Sequence, residues 1–247
     1  MALSGADRGS GSTNTGGQST IVVTPGSNFA ARSWACLVCA YDNSGTNGAD
    51  PYSSIADSVG NIWAPRINSL NDPGAANAGV ALRIFTSDMS VAPLTTGDTI
   101  TVTLGSTTVA RAWALHEILP GNNGRVAYVT GGQETATTGT PSIVTGSITS
   151  GDMVIGAIGR EGNEAPTGDG DSSNGSWSSV LGGRVGTTTS GTQLVTQRKV
   201  VTGTATQTYN PTFGGTSRDG CEAWVQFREA PVSFPVCIAV AQRRRRM

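Results

Sequence analysis

The stretches ARAWALHEI (residues 110–118) and CEAWVQFREA (residues 221–230) decide the fold, because each alternates two kinds of residue about a central tryptophan. Alternation with a period of two is typical of a β-strand whose two faces meet different surroundings. It places Trp113, Leu115 and Glu117 on one face of the first stretch, and His116 with the small residues on the other. Since both strands carry polar groups on both faces, we expect some of these groups to reach solvent or a neighbouring chain.

The strand pattern around the first stretch recurs around the second. The first series comprises STIVVTP (19–25), SWACLVCAY (33–41), NIWAPRI (61–67), GVALRIF (79–85), DTITVTL (98–104) and ARAWALHEI (110–118). After a linker at 124–142, the second comprises PSIVTGSI (141–148), DMVIGAI (152–158), SWSSVL (176–181), TQLVTQRKV (192–200), QTYNPTF (207–213) and CEAWVQFREA (221–230). Trp63 aligns with Trp177 and Trp113 with Trp224, so the order predicts an internal duplication.

The composition favours a β protein. The chain has 247 residues, of which 34 are glycine and only 13% are charged, too few for long amphipathic helices with a charged solvent face. Short β-branched segments joined by Gly, Pro and Asn turns are typical of sandwiches. We therefore predict an all-β protein, an antiparallel β-sandwich of jelly-roll or Greek-key type with about six strands per half.

The same pattern predicts the domain organisation. Residues 1–18 are interpreted as a Gly/Ser-rich arm, 19–230 as the duplicated sandwich with halves at about 19–123 and 141–230, and 231–247 as a C-terminal attachment segment. Two halves fused into one sandwich is the preferred interpretation, and two tandem domains remain the alternative.

Charge and hydropathy indicate which partners to expect. The net charge is −1, so no whole-molecule field would attract nucleic acid or a membrane surface. No apolar run approaches the length of a transmembrane helix, and the N-terminal residues lack the apolar stretch of a signal peptide. We therefore expect synthesis in a cytoplasm, with no membrane partner and no nucleic-acid partner.

The sequence contains few candidate catalytic residues. His116 is the only histidine, and it lies in mid-strand without an orienting partner nearby in the sequence. The nucleophile motif G-x-S-x-G does not occur. The sequence thus predicts a protein that is not an enzyme and holds no cofactor, with His116 in strand packing.

The cysteines do not form a metal motif. Cys36 and Cys39 are spaced as C-x-x-C, but three residues apart on a strand they point to opposite faces, so they cannot share a metal ion. We expect small buried side chains. A disulfide from Cys36 or Cys39 to Cys221 stays open, and Cys237 is the better candidate for a bridge between chains.

Acidic and aromatic residues offer three weaker alternatives. Asp169 and Asp171 are close together in GDGDSSNG (168–175), but the positions that an EF-hand needs as Gly and Glu are Asn174 and Val180. We expect a solvated turn and no metal site. A glycosidase would need two carboxylates facing across a cleft, and the candidates are Glu134, Glu161 and Glu164. Sugar stacking could use tryptophans, but most lie at predicted core positions: Trp34, Trp63, Trp113, Trp177 and Trp224.

Four segments in the first half carry a resemblance: DSVGNIW (57–63), VALRIF (80–85), GDTITVTL (97–104) and ARAWALHEI (110–118). In this order of strand types the chain, from residue 19 to about 230, is similar to a group of bacteriophage virion proteins and bacterial surface modules. The resemblance implies a β-sandwich subunit of a phage particle, as a capsid decoration, neck or tail component. It implies location in the virion and no catalytic residues.

The unrepeated ends are the predicted contact segments. These are the arm, Ser4 to Gln18, and the extension, Val232 to Arg246, in which PVSFPVCIAVAQ suits an added strand on a neighbouring subunit. The residues expected to contact other virion subunits, or other copies of this chain in a homo-oligomer, are Cys237, Arg243, Arg244, Arg245 and Arg246. The alternative function is a carbohydrate-binding module for a host surface glycan, using Tyr41, Tyr52 and Trp177 near turns; an enzyme ranks last.

Overall fold

A computed structural model describes residues 2–42, 51–73, 79–108, 110–121, 124–186 and 191–231. Over these ranges the protein is all-β: they hold fifteen strands in antiparallel sheets and no helix. It follows that none of these residues lies in a helix able to cross a membrane. The predicted fold class is thus confirmed at the level of an all-β protein with antiparallel sheets, consistent with a β-sandwich.

The first half contributes eight strands in two sheets. Sheet A has the order β1-β8-β3-β6-β5 and sheet B the order β2-β7-β4. The bounds are β1 (Ser4–Thr13), β2 (Gln18–Val23), β3 (Trp34–Asp42), β4 (Tyr52–Asp57), β5 (Ala64–Asn71), β6 (Val80–Ser87), β7 (Ile100–Thr108) and β8 (Arg111–Leu119).

The second half contributes seven strands, again in a large and a small sheet. Sheet C has the order β12-β13-β11-β15-β9 and sheet D pairs β10 with β14. The bounds are β9 (Arg125–Thr138), β10 (Ile143–Ile148), β11 (Met153–Glu161), β12 (Leu181–Val185), β13 (Thr192–Val200), β14 (Ala205–Tyr209) and β15 (Arg218–Ala230).

The four sheets stack in the order B, A, C, D, with an apolar cluster between each neighbouring pair. Leu37 and Phe85 of sheet A pack against Ile21 and Val102 of sheet B. The other face of sheet A packs on sheet C through residues such as Val38 and Ile155, so the two halves share a core. Sheet D covers the outer face of sheet C. This burial on both faces explains why β3, β6 and β11 are continuous apolar runs with almost no exposed residue.

The face assignments made from alternation are confirmed. Trp113 and Leu115 contact the cluster between sheets A and B, whereas Ala112, Ala114 and Ile118 lie between sheets A and C. On β15, Trp224 faces sheet D while Val225 and Phe227 face sheet A.

Two segments interpreted as irregular are strands, and this corrects the predicted layout. Ser4–Thr13, expected as an arm, is β1 and pairs along its length with β8. The linker at 124–142 contains the fourteen-residue strand β9, which pairs with β15. Both are edge strands. β1 and the second part of β9 are rich in Gly, Thr and polar residues, so main-chain hydrogen bonds to a neighbour hold them, and only the first part of β9 adds core contacts through Val126 and Tyr128. The third strand not predicted is β4, and each half therefore begins earlier and holds more than six strands.

The two large sheets have corresponding strand orders. Reading sheet A from β1 gives the first, last, third, sixth and fifth strands of its half. Reading sheet C from β9 gives the first, last, third, fifth and fourth, which is the same succession once β4 is left out of the count. A local detail repeats too. Gly11 of β1 lies opposite Trp113, and Gly132 of β9 lies opposite Trp224. In each pair the indole packs against the glycine so closely that a Cβ would sit under 3 Å from the ring.

Candidate functional site

An open groove lies at the end of sheet A where β5 begins and β6 ends, and we call it the sheet-end groove. Its volume is about 200 Å³ and its lining is mostly apolar. The lining residues are Trp34, Ile62, Ala64, Arg66, Thr86, Ser87, Asp88 and Ser90. We refer to the half-buried Trp34 as its floor and to the polar side chains, among them exposed Ser90, as its rim.

The floor is fixed by aromatic contacts between the two halves. Trp34 meets Phe227 edge to face, with ring centroids 6.2 Å apart, and Tyr128 meets the same phenylalanine in the same manner. The Arg66 guanidinium lies 4.2 Å from the centre of the Tyr128 ring, and its Nε donates to Thr86 Oγ1 at 2.8 Å. These contacts leave Trp34 half-buried and hold it in place.

The outer wall of the groove is Ile62, which is 76% exposed, the highest value among large hydrophobic side chains in the described ranges. Val91 nearby is 60% exposed. Neither is on a loose loop: the Asn61 amide lies between them, its Oδ1 accepting from Val91 N at 3.0 Å and its Nδ2 donating to Ala92 O at 2.9 Å. Rigidly held, exposed apolar side chains are a feature of interaction surfaces.

Asp57 organises this wall. Its Oδ1 accepts from the backbone N–H groups of Val59, Gly60 and Asn61, at 3.1, 2.7 and 2.9 Å. Its Oδ2 accepts from Asn61 Nδ2 at 3.0 Å and from Trp63 Nε1 at 2.9 Å. The stretch DSVGNIW is therefore a loop wound around one carboxylate, with Trp63 turned into the core and Ile62 turned out.

Replacing Asp57 tests that role. We expect Asp57→Ala to lower the free energy of unfolding by about 2 kcal/mol, because five donors lose a charged acceptor at once. Asp57→Asn keeps the size but not the charge, and should fall between Asp57→Ala and the unchanged chain. Urea denaturation measures the stability, and amide hydrogen exchange at residues 59–61 reports the loop. Unchanged exchange in Asp57→Ala would contradict this role.

His116 has partners that its sequence neighbourhood does not reveal. Its Nε2 lies 2.7 Å from Thr196 Oγ1 on β13, whereas its Nδ1, 3.3 Å from Asp7 Oδ1 on β1, makes no hydrogen bond among the described residues. Since the Thr196 hydroxyl donates its proton to Leu181 O at 2.8 Å, it accepts from His116, which carries its proton on Nε2. Burial lowers the pKa of His116 to about 4. The hydrogen-bond partner of His116, Thr196, is 80 residues away in the sequence, which is why the sequence neighbourhood does not reveal it.

A carboxylate, an imidazole and a hydroxyl in this order resemble the arrangement used for nucleophilic catalysis only in outline. Here His116 and Thr196 are both fully buried, and the hydroxyl proton is committed to a carbonyl. What the arrangement does is join the two halves, because His116 belongs to sheet A and Thr196 to sheet C.

The isosteric change Thr196→Val should therefore destabilise the protein by about 1–3 kcal/mol, because it leaves the buried His116 N–H without an acceptor. Thr196→Ser keeps the hydroxyl and serves as the matched control, losing only a methyl group. Thermal or chemical unfolding followed by circular dichroism gives both values. Equal loss in the two variants would mean that the hydroxyl contributes nothing.

Some polar groups of β8 and β15 were expected to reach solvent or another chain; Arg228 is exposed, but Glu117 and Gln226 are not. Glu117 is fully buried and accepts from the Arg8 guanidinium and from Ala30 N. Gln226 is buried and donates to Asp152 Oδ2 at 2.6 Å. Both are satisfied within the chain by segments far away in the sequence.

The cysteines Cys36, Cys39 and Cys221 are buried free thiols, so the disulfide left open between them is not formed. Cys36 lies between sheets A and C and Cys39 between sheets A and B, as alternation predicted. Burial raises the pKa of both thiols, and raises that of Cys221 to about 11. All three are therefore protonated and unreactive at neutral pH.

Most of the acidic candidates make hydrogen bonds or ion pairs within the chain. Asp169 accepts from the N–H groups of Asp171 and Asn210, and Asp171 pairs with Lys199 Nζ at 3.0 Å. In the part of the chain that the structure describes, no three His, Cys, Asp or Glu side chains are grouped to hold a metal ion. Of the glutamates, Glu161 accepts from Gly79 N at 2.6 Å, Glu164 pairs with Arg218, and Glu134 is exposed on β9.

The remaining sequence candidates divide into two groups. Cys237 and the arginines Arg243, Arg244, Arg245 and Arg246 lie outside the described residues. Of the aromatics proposed to hold a sugar, Tyr41 and Trp177 are buried, and Tyr52 is half-buried against Phe85. The aromatic that lines an open groove is Trp34, which sequence reasoning assigned to the core because it begins an apolar strand.

Fold and groove together define an all-β protein with antiparallel sheets and a mostly apolar groove at one end of sheet A. No family model, no curated protein and no solved structure matches this chain.

Proposed function

We propose that this chain is a non-enzymatic structural protein of a phage particle, either a decoration or cement subunit or an accessory of the neck or tail. It binds neighbouring subunits, copies of itself among them, and its site of action is the virion. The observation that carries the proposal is the sheet-end groove. Ile62, which is 76% exposed, borders the mostly apolar groove, and contiguous apolar surface, unlike a single exposed side chain, is a feature of surfaces covered in an assembly.

The strand order supports a jelly roll as the finer description of the fold. In a jelly roll the first strand pairs with the last, the second with the seventh, and the third lies between the last and the sixth. The succession β1-β8-β3-β6 and the pairing of β2 with β7 follow this rule. Jelly rolls occur in viral capsid proteins and in lectins.

An internal duplication is the finer description of the domain organisation. Its support is the matching strand order of sheets A and C and the matching pairs Gly11–Trp113 and Gly132–Trp224. The large sheets face each other as β1 on β12, β8 on β13, β3 on β11, β6 on β15 and β5 on β9. If each strand is replaced by its counterpart in the other half, the same set of facing pairs results: β1 on β12, for example, becomes β9 on β5. A two-fold axis between two copies would give this result.

The test is the composition of particles. Phage particles purified on a density gradient from a host that carries the encoding gene should contain this chain in a fixed ratio to the major capsid protein, measured by quantitative mass spectrometry. Immunogold electron microscopy should place it on the capsid, neck or tail. A chain that stays in the soluble fraction, away from the particle peak, would refute the proposal.

Glycan binding is the second candidate, and Trp34 is the observation that favours it. A half-buried indole beside Asp88 and Ser90 offers a flat apolar face with hydrogen-bonding groups at its edge. A glycan array probed with the purified chain and with Trp34→Ala would decide. Binding that Trp34→Ala abolishes supports it, and an array without signal refutes it.

A further inference from the structure

The chain leaves the described structure at the same end as the sheet-end groove. Phe227, near the end of β15, contacts Trp34 on the groove floor. The last described residue is Pro231, which is only four positions further on, or about 13 Å of extended chain. Sixteen residues follow, at 232–247. The groove and the start of this segment are therefore close together.

The composition of the segment complements the groove. Residues 232–240 read VSFPVCIAV, which carries no charge and is dominated by Val, Phe, Ile and Cys. Leaving such a run in water is unfavourable, at a cost of about 25 cal/mol per Å² of exposed apolar surface. The groove also exposes apolar surface, because none of the described residues covers its floor or the Ile62 wall. A volume of about 200 Å³ suits one or two side chains of this size.

The direction of the chain favours the groove of another copy over its own. Prolines at 231 and 235 restrict the residues before them to extended conformations, which carry the chain onward from β15. To return to its own groove the segment would have to reverse, yet residues 231–247 contain no Gly, Asn or Asp for turns that need a positive φ, so only turns built on Pro or Ser are open to it.

From these observations we propose that the apolar run at 232–240 of one copy docks in the sheet-end groove of a neighbouring copy. This rests on the proposed structural function and deepens it, since it names the contact that joins the copies. The contact runs head to tail, because the donor segment and the acceptor groove are different surfaces; repeated, it produces a closed ring or an open filament.

Cysteine cross-linking of full-length chains tests the contact directly. The acceptor carries Ser90→Cys, on the exposed groove rim, together with Cys237→Ser; the donor keeps Cys237 and is longer by an affinity tag. Because Cys36, Cys39 and Cys221 are buried, the thiol introduced on the acceptor rim and Cys237 of the donor are the two expected to react. A mixed dimer joined by disulfide or a short bis-maleimide is the expected product. Its absence under both chemistries would overturn the proposal.

Two further experiments test whether the groove is the acceptor and whether the docked segment belongs to another copy. Adding Ile62→Asp to the acceptor should abolish the mixed dimer, whereas Val144→Asp, at a valine 58% exposed on sheet D, should leave it intact. Loss in both, or retention in both, would overturn the assignment of the groove. A chain with Ser90→Cys and its own Cys237 should not form an internal bridge when dilute. A fast-migrating bridged monomer would mean that each segment occupies its own groove, and would overturn docking between copies.

Failure of the docking proposal can be distinguished from failure of the proposed virion function. If the mixed dimer forms but the chain is missing from purified particles, the docking stands and the virion function falls. If the chain is on particles and Ile62→Asp leaves both its attachment and its sedimentation unchanged, the virion function stands and the docking falls.

Discussion

A single methyl group added at Gly132 is expected to lower the free energy of unfolding by about 2–3 kcal/mol. Gly132 lies on β9 directly opposite Trp224 of β15. A Cβ there would lie 2.6 Å from the indole Nε1 and 3.0 Å from Cε2, closer than atoms can approach without movement. Trp224 is only 7% exposed and packs in the cluster between sheets C and D, so the ring has little room to move.

The equivalent change in the first half should cost less, about 1–2 kcal/mol. A Cβ at Gly11 would lie 2.8 Å from two ring atoms of Trp113, but this indole is half-buried and can tilt toward solvent. Neither glycine has a positive φ, so backbone strain does not contribute to either cost. The ratio between the two substitutions therefore measures how firmly each indole is held.

Gly146→Ala is the matched control, because a Cβ at this strand position would meet no atom within 4 Å and its φ is also not positive. It should be neutral or stabilising by up to about 1 kcal/mol, through the smaller entropy of the unfolded chain. Urea titrations followed by tryptophan emission give all three values. A Gly132→Ala chain as stable as Gly146→Ala would show that the close packing of Trp224 on β9 is not rigid in solution.

The strands that sequence reasoning found are those with an apolar period. β3 and β11 could be recognised because burial on both faces demands continuous apolar residues, and the opposite orientation of Cys36 and Cys39 followed from strand geometry alone. Trp113 and Trp224 likewise each mark a central strand, next to β3 and to β11. In each case the information is local: it is carried by residues within one strand.

What the sequence could not reveal depends on distant partners. β1 and the second part of β9 have no apolar pattern, and the role of their glycines depends on Trp113 and Trp224 across the strand. The partners of His116 lie on β1 and β13. Ile62 reads as a core residue in NIWAPRI, and it is exposed only because Asp57 winds the preceding loop around itself.

The second large effect is a dependence of stability on pH that Glu222 controls. This carboxyl group is buried on β15, directly opposite Glu134 of β9. Its Oε2 accepts from Ser142 N at 3.0 Å, while Oε1 is buried without a partner in the structure. Burial, with the repulsion of Glu134 added, raises the pKa of Glu222 from 4.5 to about 7 against the opposing effects of Ser142 N–H and Arg160.

The sign follows from proton binding. Between pH 4.5 and about 7 the folded chain holds the Glu222 proton and the unfolded chain has released it, so stability falls as pH rises through this window. The contribution of protonated Glu222 to the free energy of unfolding is fully present below pH 4.5 and is lost above pH 7. It amounts to about 2–3 kcal/mol. Glu222→Gln cannot ionise, and above pH 7 it should be more stable than the unchanged chain by about this amount.

The comparison has to be a difference between chains, because His116 acts in the opposite sense over an overlapping window. Its pKa falls from 6.5 to about 4 on burial, so it removes stability as pH falls through that range. The unchanged chain thus sums two opposed slopes, and its own profile would hide both. Subtracting it from Glu222→Gln cancels the histidine, and leaves a difference that is flat below pH 4.5 and rises to a plateau near pH 7.

Glu134→Gln supplies the second arm of this test. Residue 134 is exposed, so the change should cost little stability itself, but it removes the facing negative charge. The rise in the difference curve should then shift to lower pH without vanishing, because burial is the larger cause of the raised pKa. Unfolding free energies from urea titrations at closely spaced pH values give the curves. A flat difference between Glu222→Gln and the unchanged chain would mean that β9 opens enough to hydrate Glu222, and that the edge of sheet C is looser than its fourteen-residue strand implies.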